Sequence, residues 1–341
     1  MVHRAFWLGL GLLLSPLSYA TQACISQTEP ERVFGANPVV TYLIMAIAPE
    51  KLVGWNFTPP PQAKGVFSAD SFDKPIIGGW FGQGQTPNIE ALIKTRPDLA
   101  ILSGATVHLS RQTALTGLGL PVCTVKLDAL SDYPLAIRQM GTWLHREQKA
   151  QAFATLAEHL ITQQAQRRAQ LQAQNIPIKT VYYAQSPSGL ETECVGSIHA
   201  EVIPLAGGKN PHYCPADAEQ GSRFGKVSIS FEQLMRYNPD AIVTQENAFY
   251  DKVYQDTRWR NLKAVQNKQV FLMPQAPFRW MDRPPSYMRL LAMQWLMAQL
   301  YPEQTDIDMN EQVRGFFKQV FDADLNEDQI ARVLQGGLVD E

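Results

Sequence analysis

The chain has 341 residues, of which 45% are hydrophobic and 18% are charged, and its formal net charge is −2. This composition is typical of folded proteins and excludes a disordered chain, while the length favours two domains over one. The near balance of charge, without a long run of lysine and arginine, argues against nucleic acid or an anionic membrane as a partner.

Residues 1–20 have the features of a secretory signal peptide. A short basic start at His3 and Arg4 precedes an apolar stretch, and small residues, Ser18 and Ala20, occupy positions −3 and −1 of a cleavage site. The apolar stretch is too short to span a bilayer. We therefore predict export and a mature chain that begins at residue 21. Lipid attachment at Cys24 is the disfavoured alternative.

Strands alternate with helices in the first half of the mature chain. Strands are predicted at residues 31–34, 51–55, 99–102 and 122–125. Such alternation is typical of mainly parallel sheets whose two faces are both covered.

One helix–turn–strand unit occurs twice. Residues 89–102 (IEALIKTRPDLAIL) and 231–244 (FEQLMRYNPDAIVT) share a glutamate, a leucine two positions later, and a Pro-Asp pair before an apolar run. Each copy predicts a short helix, a turn and a buried strand. We expect the first helix to be capped by Thr86 and the second by Ser228 or Ser230. Two copies in one chain indicate two similar α/β lobes.

A long helical pattern separates the two copies. Residues 132–174 are rich in Ala, Gln, Leu, Glu and Arg, which are good helix formers. We predict a break near residues 141–147 and a second helix over residues 148–174, which would be a rod about 40 Å long. Such a rod would hold the lobes at a nearly fixed separation.

Further strands at residues 179–184, 241–244 and 269–273 complete the second lobe. The predicted fold is α/β, with two similar lobes of mainly parallel sheets, a long backbone helix between them and a ligand cleft between the lobes. Its parts are an N-terminal lobe (21–130), linking helices (131–177) and a C-terminal lobe (178–341). Ligands of such sheets bind beyond the carboxyl ends of the strands.

The four cysteines favour disulfides over zinc, because the chain is predicted to be exported and has no C-x-x-C pair. Three pairings are possible. We prefer Cys194 with Cys214, which are close in sequence, and therefore Cys24 with Cys123.

The loops beyond the predicted strands are rich in aromatic and charged residues, which suits a large ligand with flat rings. The arginines present planar donors for a carboxylate or a similar oxyanion. The alternatives are that the tryptophans close the lobe cores and that the arginines pair with Asp282 or another acid. The candidates are Asn37, Trp55, Asn56, Trp80, Phe81 and Ser103 in the first lobe, and Glu193, Glu246, Tyr250, Arg279, Trp280 and Arg283 in the second.

His108 and His199 are the candidate metal ligands, because imidazole binds transition metals. His108 follows the predicted strand at residues 99–102, and His199 lies early in a predicted helix of the second lobe. The chain has only six histidines and no histidine-rich loop, which disfavours capture of bare zinc or manganese. An enzyme is also disfavoured: neither a G-x-S-x-G elbow nor an H-E-x-x-H motif is present.

The mature chain resembles the periplasmic binding proteins with a rigid helical backbone, which serve importers of ferric siderophores, cobalamin, haem and related metal chelates. The resemblance is carried by residues 32–38 (RVFGANP), 48–54 (APEKLVG), 88–99 (NIEALIKTRPDL), 189–192 (GLET), 206–210 (AGGKN) and 230–240 (SFEQLMRYNPD). It implies a monomeric periplasmic receptor that is not an enzyme and has no covalent cofactor.

The resemblance also implies partners and a cargo. The partners are an ABC permease and its ATPase, and in this family one glutamate at the tip of each lobe docks onto permease arginines; Glu90 and Glu232 stand at the matching positions. The cargo is expected to be a metal chelate, with a ferric siderophore as first choice. A nickel or cobalt chelate, cobalamin, haem and a molybdate-type oxyanion are the alternatives.

Overall fold

A computed structural model of the chain describes residues 28–82, 84–104, 109–214 and 225–336. The predicted signal peptide, Cys24 and His108 lie outside the described residues. Among the residues described, none of the helices is both long and apolar enough to cross a membrane.

The N-terminal lobe is built on a parallel sheet of three strands. In order across the sheet they are β1 (Val33–Gly35), β2 (Leu99–Ser103) and β3 (Val122–Val125). The strand predicted at residues 51–55 is not regular, since Leu52 forms only an isolated bridge to Val33. The helices of this lobe are α1 (Pro38–Ile47), α2 (Ala69–Phe72), α3 (Ile89–Thr95) and α4 (Leu109–Thr116).

Two helices link the lobes. They are α5 (Tyr133–Trp143) and α6 (Glu147–Ala173), and the 27 residues of α6 confirm the predicted backbone helix within one residue at each end. The two helices pack closely at Gly141, where an added Cβ would lie 2.2 Å from the Cβ of Ala150.

The C-terminal lobe repeats the plan of the first. A parallel sheet has the order β4 (Val181–Ala184), β7 (Ala241–Thr244) and β8 (Val270–Leu272), and β5 (Glu191–Thr192) pairs antiparallel with β6 (Val227–Ser228). Its helices are α7 (Val202–Leu205), α8 (Phe231–Tyr237), α9 (Asn247–Val253), α10 (Lys263–Gln266), α11 (Arg289–Leu300), α12 (Met309–Phe321) and α13 (Glu327–Leu334).

The duplicated unit recurs in its hydrogen bonds as well as in its sequence. Asp98 accepts from the backbone N–H groups of Glu31 and Arg32, and Asp240 accepts from that of Thr180. In each lobe the Pro-Asp aspartate therefore ties the start of the central strand to the residues that precede the first strand.

The helix caps of the two copies agree only partly with expectation. Ser230 caps α8 by accepting from the N–H of Gln233, as predicted. The cap of α3 is Asn88, which accepts from Ala91, so the prediction of Thr86 is wrong. A side-chain amide oxygen performs the same capping function as a hydroxyl.

Alternate residues of each sheet enter different hydrophobic clusters. Leu99 and Ile101 of β2, like Val181 and Tyr183 of β4, belong to one main core that also contains buried residues of α6. The intervening residues of the strands face smaller cores, one in each lobe. The period of two along a strand thus directs one face of both sheets to a shared core.

Residues 274–288 join the C-terminal lobe to the N-terminal lobe. Phe278 stacks on Tyr42 of α1 with ring centroids 3.8 Å apart, and the hydroxyl of Tyr287 donates to the carbonyl of Tyr42 at 3.1 Å. The hydroxyl of Tyr133 donates to the carbonyl of Pro285 at 2.8 Å. This contact surface fixes the position of the segment that carries the candidate arginines.

The last part of the chain contacts the N-terminal lobe and the backbone helix. The ring centroids of Phe321 in α12 and Phe67 in the N-terminal lobe are 5.9 Å apart, and Gln319 donates to the carbonyl of Ala152 in α6. The predicted boundary at residue 178 therefore separates the sheets but not the helices that cover the shared core.

Replacing Gly141 by Ala should lower the free energy of unfolding by about 1–3 kcal/mol, because the new methyl group overlaps Ala150 and forces α5 and α6 apart. The control is Gly315→Ala in α12, where a Cβ meets no atom within 4 Å. That change should stabilise by about 0.5–1 kcal/mol, since alanine restricts the unfolded chain. Chemical denaturation measures both; equal effects would contradict the close packing at Gly141.

Candidate functional site

Asn37 and Ser103 lie at the carboxyl ends of β1 and β2, as predicted. Asn37 caps α1 by accepting from the N–H of Val40, and its Nδ2 donates to the hydroxyl of Ser103 at 2.6 Å. Both side chains are buried. They hold the strand ends together, and a role in ligand binding remains a prediction.

Asn56 is bound from several sides. Its Nδ2 donates to the carbonyls of Gly35 and Gly78, and its Oδ1 accepts from the hydroxyl of Thr41 at 2.6 Å. Both amide hydrogens are used, so the side chain has no spare donor for a ligand. The arrangement favours a structural role for this candidate.

The aromatic candidates of the first lobe are largely core residues. Trp55 is 2% exposed and its indole N–H donates to the carbonyl of Ser71, which favours a core position over the predicted contact with a ligand. Trp80 is buried beneath the guanidinium of Arg111. Phe81 is half-buried, and its contact with a ligand remains a prediction.

Glu193 is a fully buried carboxylate at the centre of the polar residues of the second lobe. Its Oε1 accepts from Gln185 at 3.0 Å and from Arg283 Nη2 at 2.5 Å, and its Oε2 accepts from the hydroxyl of Ser197 at 3.0 Å. Burial raises the pKa of Glu193, and the hydrogen bond from Gln185 only partly opposes this. The carboxylate is therefore costly to ionise and depends on its donors.

Arg283 lies at the edge of this network. It also donates from Nε to Gln185 Oε1 at 3.1 Å, and its side chain remains 29% exposed. Its φ of 58° is in the left-handed region, which is strained for a residue with a side chain. Strain of this kind persists where the surroundings fix a side chain in a required position.

His199 and Asp282 form a buried pair beside Glu193. The ring nitrogen Nδ1 of His199 is hydrogen-bonded to Asp282 Oδ1, and Asp282 is fully buried. The amide of Gln245 holds the backbone of this segment, accepting from the N–H of Met281 at 3.0 Å and donating to the carbonyl of Asp282 at 3.1 Å. The pair is thus fixed from the carboxyl end of β7.

We call Gln185, Glu193, Ser197, His199, Asp282 and Arg283 the C-lobe polar cluster. Four other candidates from the sequence, Glu246, Tyr250, Arg279 and Trp280, lie in the same lobe. Arg279 pairs with Glu246 at 3.3 Å and is 34% exposed, and Tyr250 is half-buried. Trp280 is fully buried and its indole donates to the carbonyl of Ala276, which favours a core position over the predicted contact with a ligand.

Sequence reasoning missed Gln185, Ser197 and Gln245. Gln185 and Gln245 directly follow the buried strands β4 and β7, which was a usable signal, because polar residues at that place lie at the carboxyl edge of the sheet. Ser197 carried no such signal, since its role depends on contact with Glu193.

A cavity of about 690 Å³ lies beside the cluster, and its lining includes Ser197, which is a member of the cluster. The lining also contains Ile198, Ala200 and Glu201, but not His199. The side chain of His199 contacts Asp282 instead.

The disulfide between Cys194 and Cys214 confirms that predicted pairing. It fixes the chain immediately after Glu193. The other predicted pair joins buried Cys123 to Cys24, which lies outside the described residues.

Glu90 and Glu232 occupy equivalent positions in the first turns of α3 and α8 and are both exposed. Neither forms a salt bridge with another residue in the described part of the chain. Both carboxylates are free to pair with an external cation.

Comparisons with known proteins agree with this architecture. The family model described as "Periplasmic binding protein" matches residues 80–277. The solved structure of an ABC transporter solute binding protein from Sulfurospirillum deleyianum has a TM-score of 0.82 and 33% sequence identity, over 90% of this chain and 94% of that one.

Two curated relatives are named for the ligand that they bind or take up. The molybdate-binding protein MolA of Haemophilus influenzae is 28% identical over 111 residues, which cover 32% of this chain and 31% of that protein. The high-affinity heme uptake system protein IsdE of Staphylococcus aureus is 24% identical over 238 residues, or 62% of this chain and 77% of that protein.

Glu193→Gln should gain stability relative to the wild type as the pH rises. Burial raises the folded-state pKa of Glu193 above its ordinary value of 4.5. The stability that this carboxyl contributes is complete below 4.5 and is lost as the pH rises through the folded pKa, whereas glutamine does not titrate. Melting temperatures between about pH 4 and pH 7 measure the difference.

Glu29→Gln is the control with the opposite sign. Lys51 and Arg146 lower the pKa of Glu29 to about 2, so its contribution is present above 4.5 and is lost as the pH falls through that lowered value. If the difference in melting temperature between Glu193→Gln and the wild type did not change with pH, this would contradict the conclusion that burial disfavours the ionised form of Glu193.

Proposed function

The chain belongs to the periplasmic binding protein family, and from this we propose that it captures an anionic metal complex between its lobes for an ABC importer. The single observation that carries the ligand class is the pair of half-exposed guanidiniums, Arg279 and Arg283, at the carboxyl edge of the second sheet. Arg279 pairs with Glu246, and Arg283 pairs with Glu193 and Asp282. Both side chains stay partly exposed, so their remaining donors can bind ligand oxygens.

A metal chelate fits this edge well. A ferric siderophore is our first choice, because such complexes present oxygen atoms and often carry negative charge. Haem and a molybdate-type oxyanion are the alternatives, supported by the names of the two curated relatives. Both also carry anionic oxygens that an arginine fork can bind.

A hydrolase is the alternative class, since the cluster contains a serine, a histidine and an aspartate. The hydroxyl of Ser197 donates to Glu193, however, and accepts from the backbone N–H of His199. It makes no hydrogen bond to the imidazole ring of His199 within the described structure. Activation of a serine nucleophile requires that bond, so the geometry favours binding over catalysis.

The ligand class is tested with protein purified from its own periplasm. Elemental analysis and mass spectrometry of the released ligand should identify a metal complex. Adding that complex to the ligand-free protein at a hundred times its dissociation constant should raise the free energy of unfolding by about 2.7 kcal/mol. A released ligand without metal would refute the proposal.

Glu90→Ala combined with Glu232→Ala should abolish uptake and leave ligand affinity unchanged, because we propose that the two exposed carboxylates pair with permease arginines. Uptake of labelled ligand and titration of the isolated protein measure the two effects. The matched control is Glu147→Ala with Glu311→Ala, which removes two exposed first-turn glutamates from α6 and α12. Normal uptake by the first double variant would refute docking through these residues.

A further inference from the structure

The two ring nitrogens of His199 differ in their hydrogen bonding. The residue is only 9% exposed, and Nδ1 is hydrogen-bonded to the fully buried Asp282. Nε2 has no hydrogen-bond partner among the described residues. The side chain of His199 is 11% exposed. The single free nitrogen of an otherwise buried ring is therefore available to a ligand.

The aspartate determines what this nitrogen can do. A carboxylate that accepts from Nδ1–H selects the tautomer in which Nε2 carries a lone pair. The same arrangement orients histidines that ligate transition metals in many proteins. A histidine kept only for packing would not need its second nitrogen at the surface.

The ring is held in place from several directions. Gln245 fixes both the N–H and the carbonyl of Asp282, and the N–H of His199 donates to the hydroxyl of Ser197 at 3.2 Å. The charged groups beside the pair are Glu193 and Arg283, which bind each other. The direction of Nε2 is thus set before a ligand arrives, which lowers the entropic cost of ligation.

We propose that His199 ligates the metal of the transported complex through Nε2, with Asp282 as the positioning residue, and that the cargo is a transition-metal complex with an open coordination position. The inference rests on the proposed function and narrows it. Haem, nickel and cobalt chelates, and ferric complexes of chelators that leave one position free belong to this class. Complexes whose chelator saturates the metal, and tetrahedral oxyanions, do not.

His212 provides an internal contrast. It is also buried, but both of its ring nitrogens have neighbours: Nδ1 lies 2.8 Å from the hydroxyl of Tyr237, and Nε2 lies 3.6 Å from the sulfur of Cys214. With no nitrogen directed to solvent, His212 should not bind metal while the disulfide is intact. His212→Gln is therefore the matched control.

The test uses a parent variant in which His108 and the exposed His145 and His159 are replaced by Gln, because any accessible imidazole binds copper. The probes are copper(II) iminodiacetate, which leaves coordination positions open, and copper(II) EDTA, which leaves none. Histidine ligation is read from the electron spin echo modulation of the remote imidazole nitrogen, which the amine nitrogens of the chelators do not give.

The parent should bind the first complex with this modulation, and the second without it or not at all. His199→Gln should lose the modulation and at least about tenfold in affinity, and Asp282→Asn should keep the modulation but bind about 10–100-fold more weakly. His212→Gln should match the parent.

Chemical rescue separates loss of ligation from damage to the fold. His199→Gly should bind the preformed imidazole complex of copper(II) iminodiacetate more tightly than the parent does, because the added imidazole can occupy the place of the missing ring. Affinity is the readout, since imidazole also binds this copper complex in solution. Unchanged affinity and spectrum in His199→Gln, or a parent without imidazole modulation, overturns the ligation. If His199→Gln nevertheless binds the ligand released from native protein as tightly as the wild type does, the proposed receptor function stands and only the ligation fails.

Discussion

The structure depends on a hydrophobic core that the two lobes share. The inward faces of both sheets, represented by Ile101 and Tyr183, pack into the same core as Phe153 of α6. Moving the lobes apart would expose this apolar surface at a cost of about 25 cal/mol for each Å². The shared core and the 27 residues of α6 therefore make large hinge motion unfavourable and keep the two strand-end edges at a nearly constant separation.

One segment serves both this core and the site. Between residues 278 and 283, Phe278, Trp280 and Asp282 are buried, whereas Arg279 and Arg283 are half-exposed. The aromatic rings anchor the segment in the shared core, and the arginines extend from the same backbone to the partly exposed edge where we propose that the ligand binds. The strained φ at Arg283 is stabilised by this anchoring, because the buried neighbours leave the backbone little room to relax.

The sequence predicted what depends on local pattern. The duplicated unit, α6 and the Cys194–Cys214 disulfide follow from periodicity, helix formers and cysteine spacing, and all three are present. The aromatic residues were harder, since a tryptophan near a strand end can face a ligand or the core; Trp55 and Trp280 do the latter. The pairing of His199 with Asp282 joins positions 83 apart, and only the folded chain reveals such contacts.

The two lobes repeat a scaffold but not its chemistry. In the first lobe, Asn56 donates both amide hydrogens to backbone carbonyls, so this side chain holds the loops together. The corresponding edge of the second lobe keeps Arg279, Arg283 and Nε2 of His199 accessible, with buried carboxylates behind them. Glu193 and Asp282 are buried carboxylates that need donors nearby. Arg283 pairs with both of them, and His199 is hydrogen-bonded to Asp282. The asymmetry follows from this coupling: the two carboxylates inside the second lobe fix Arg283 and the imidazole at its surface.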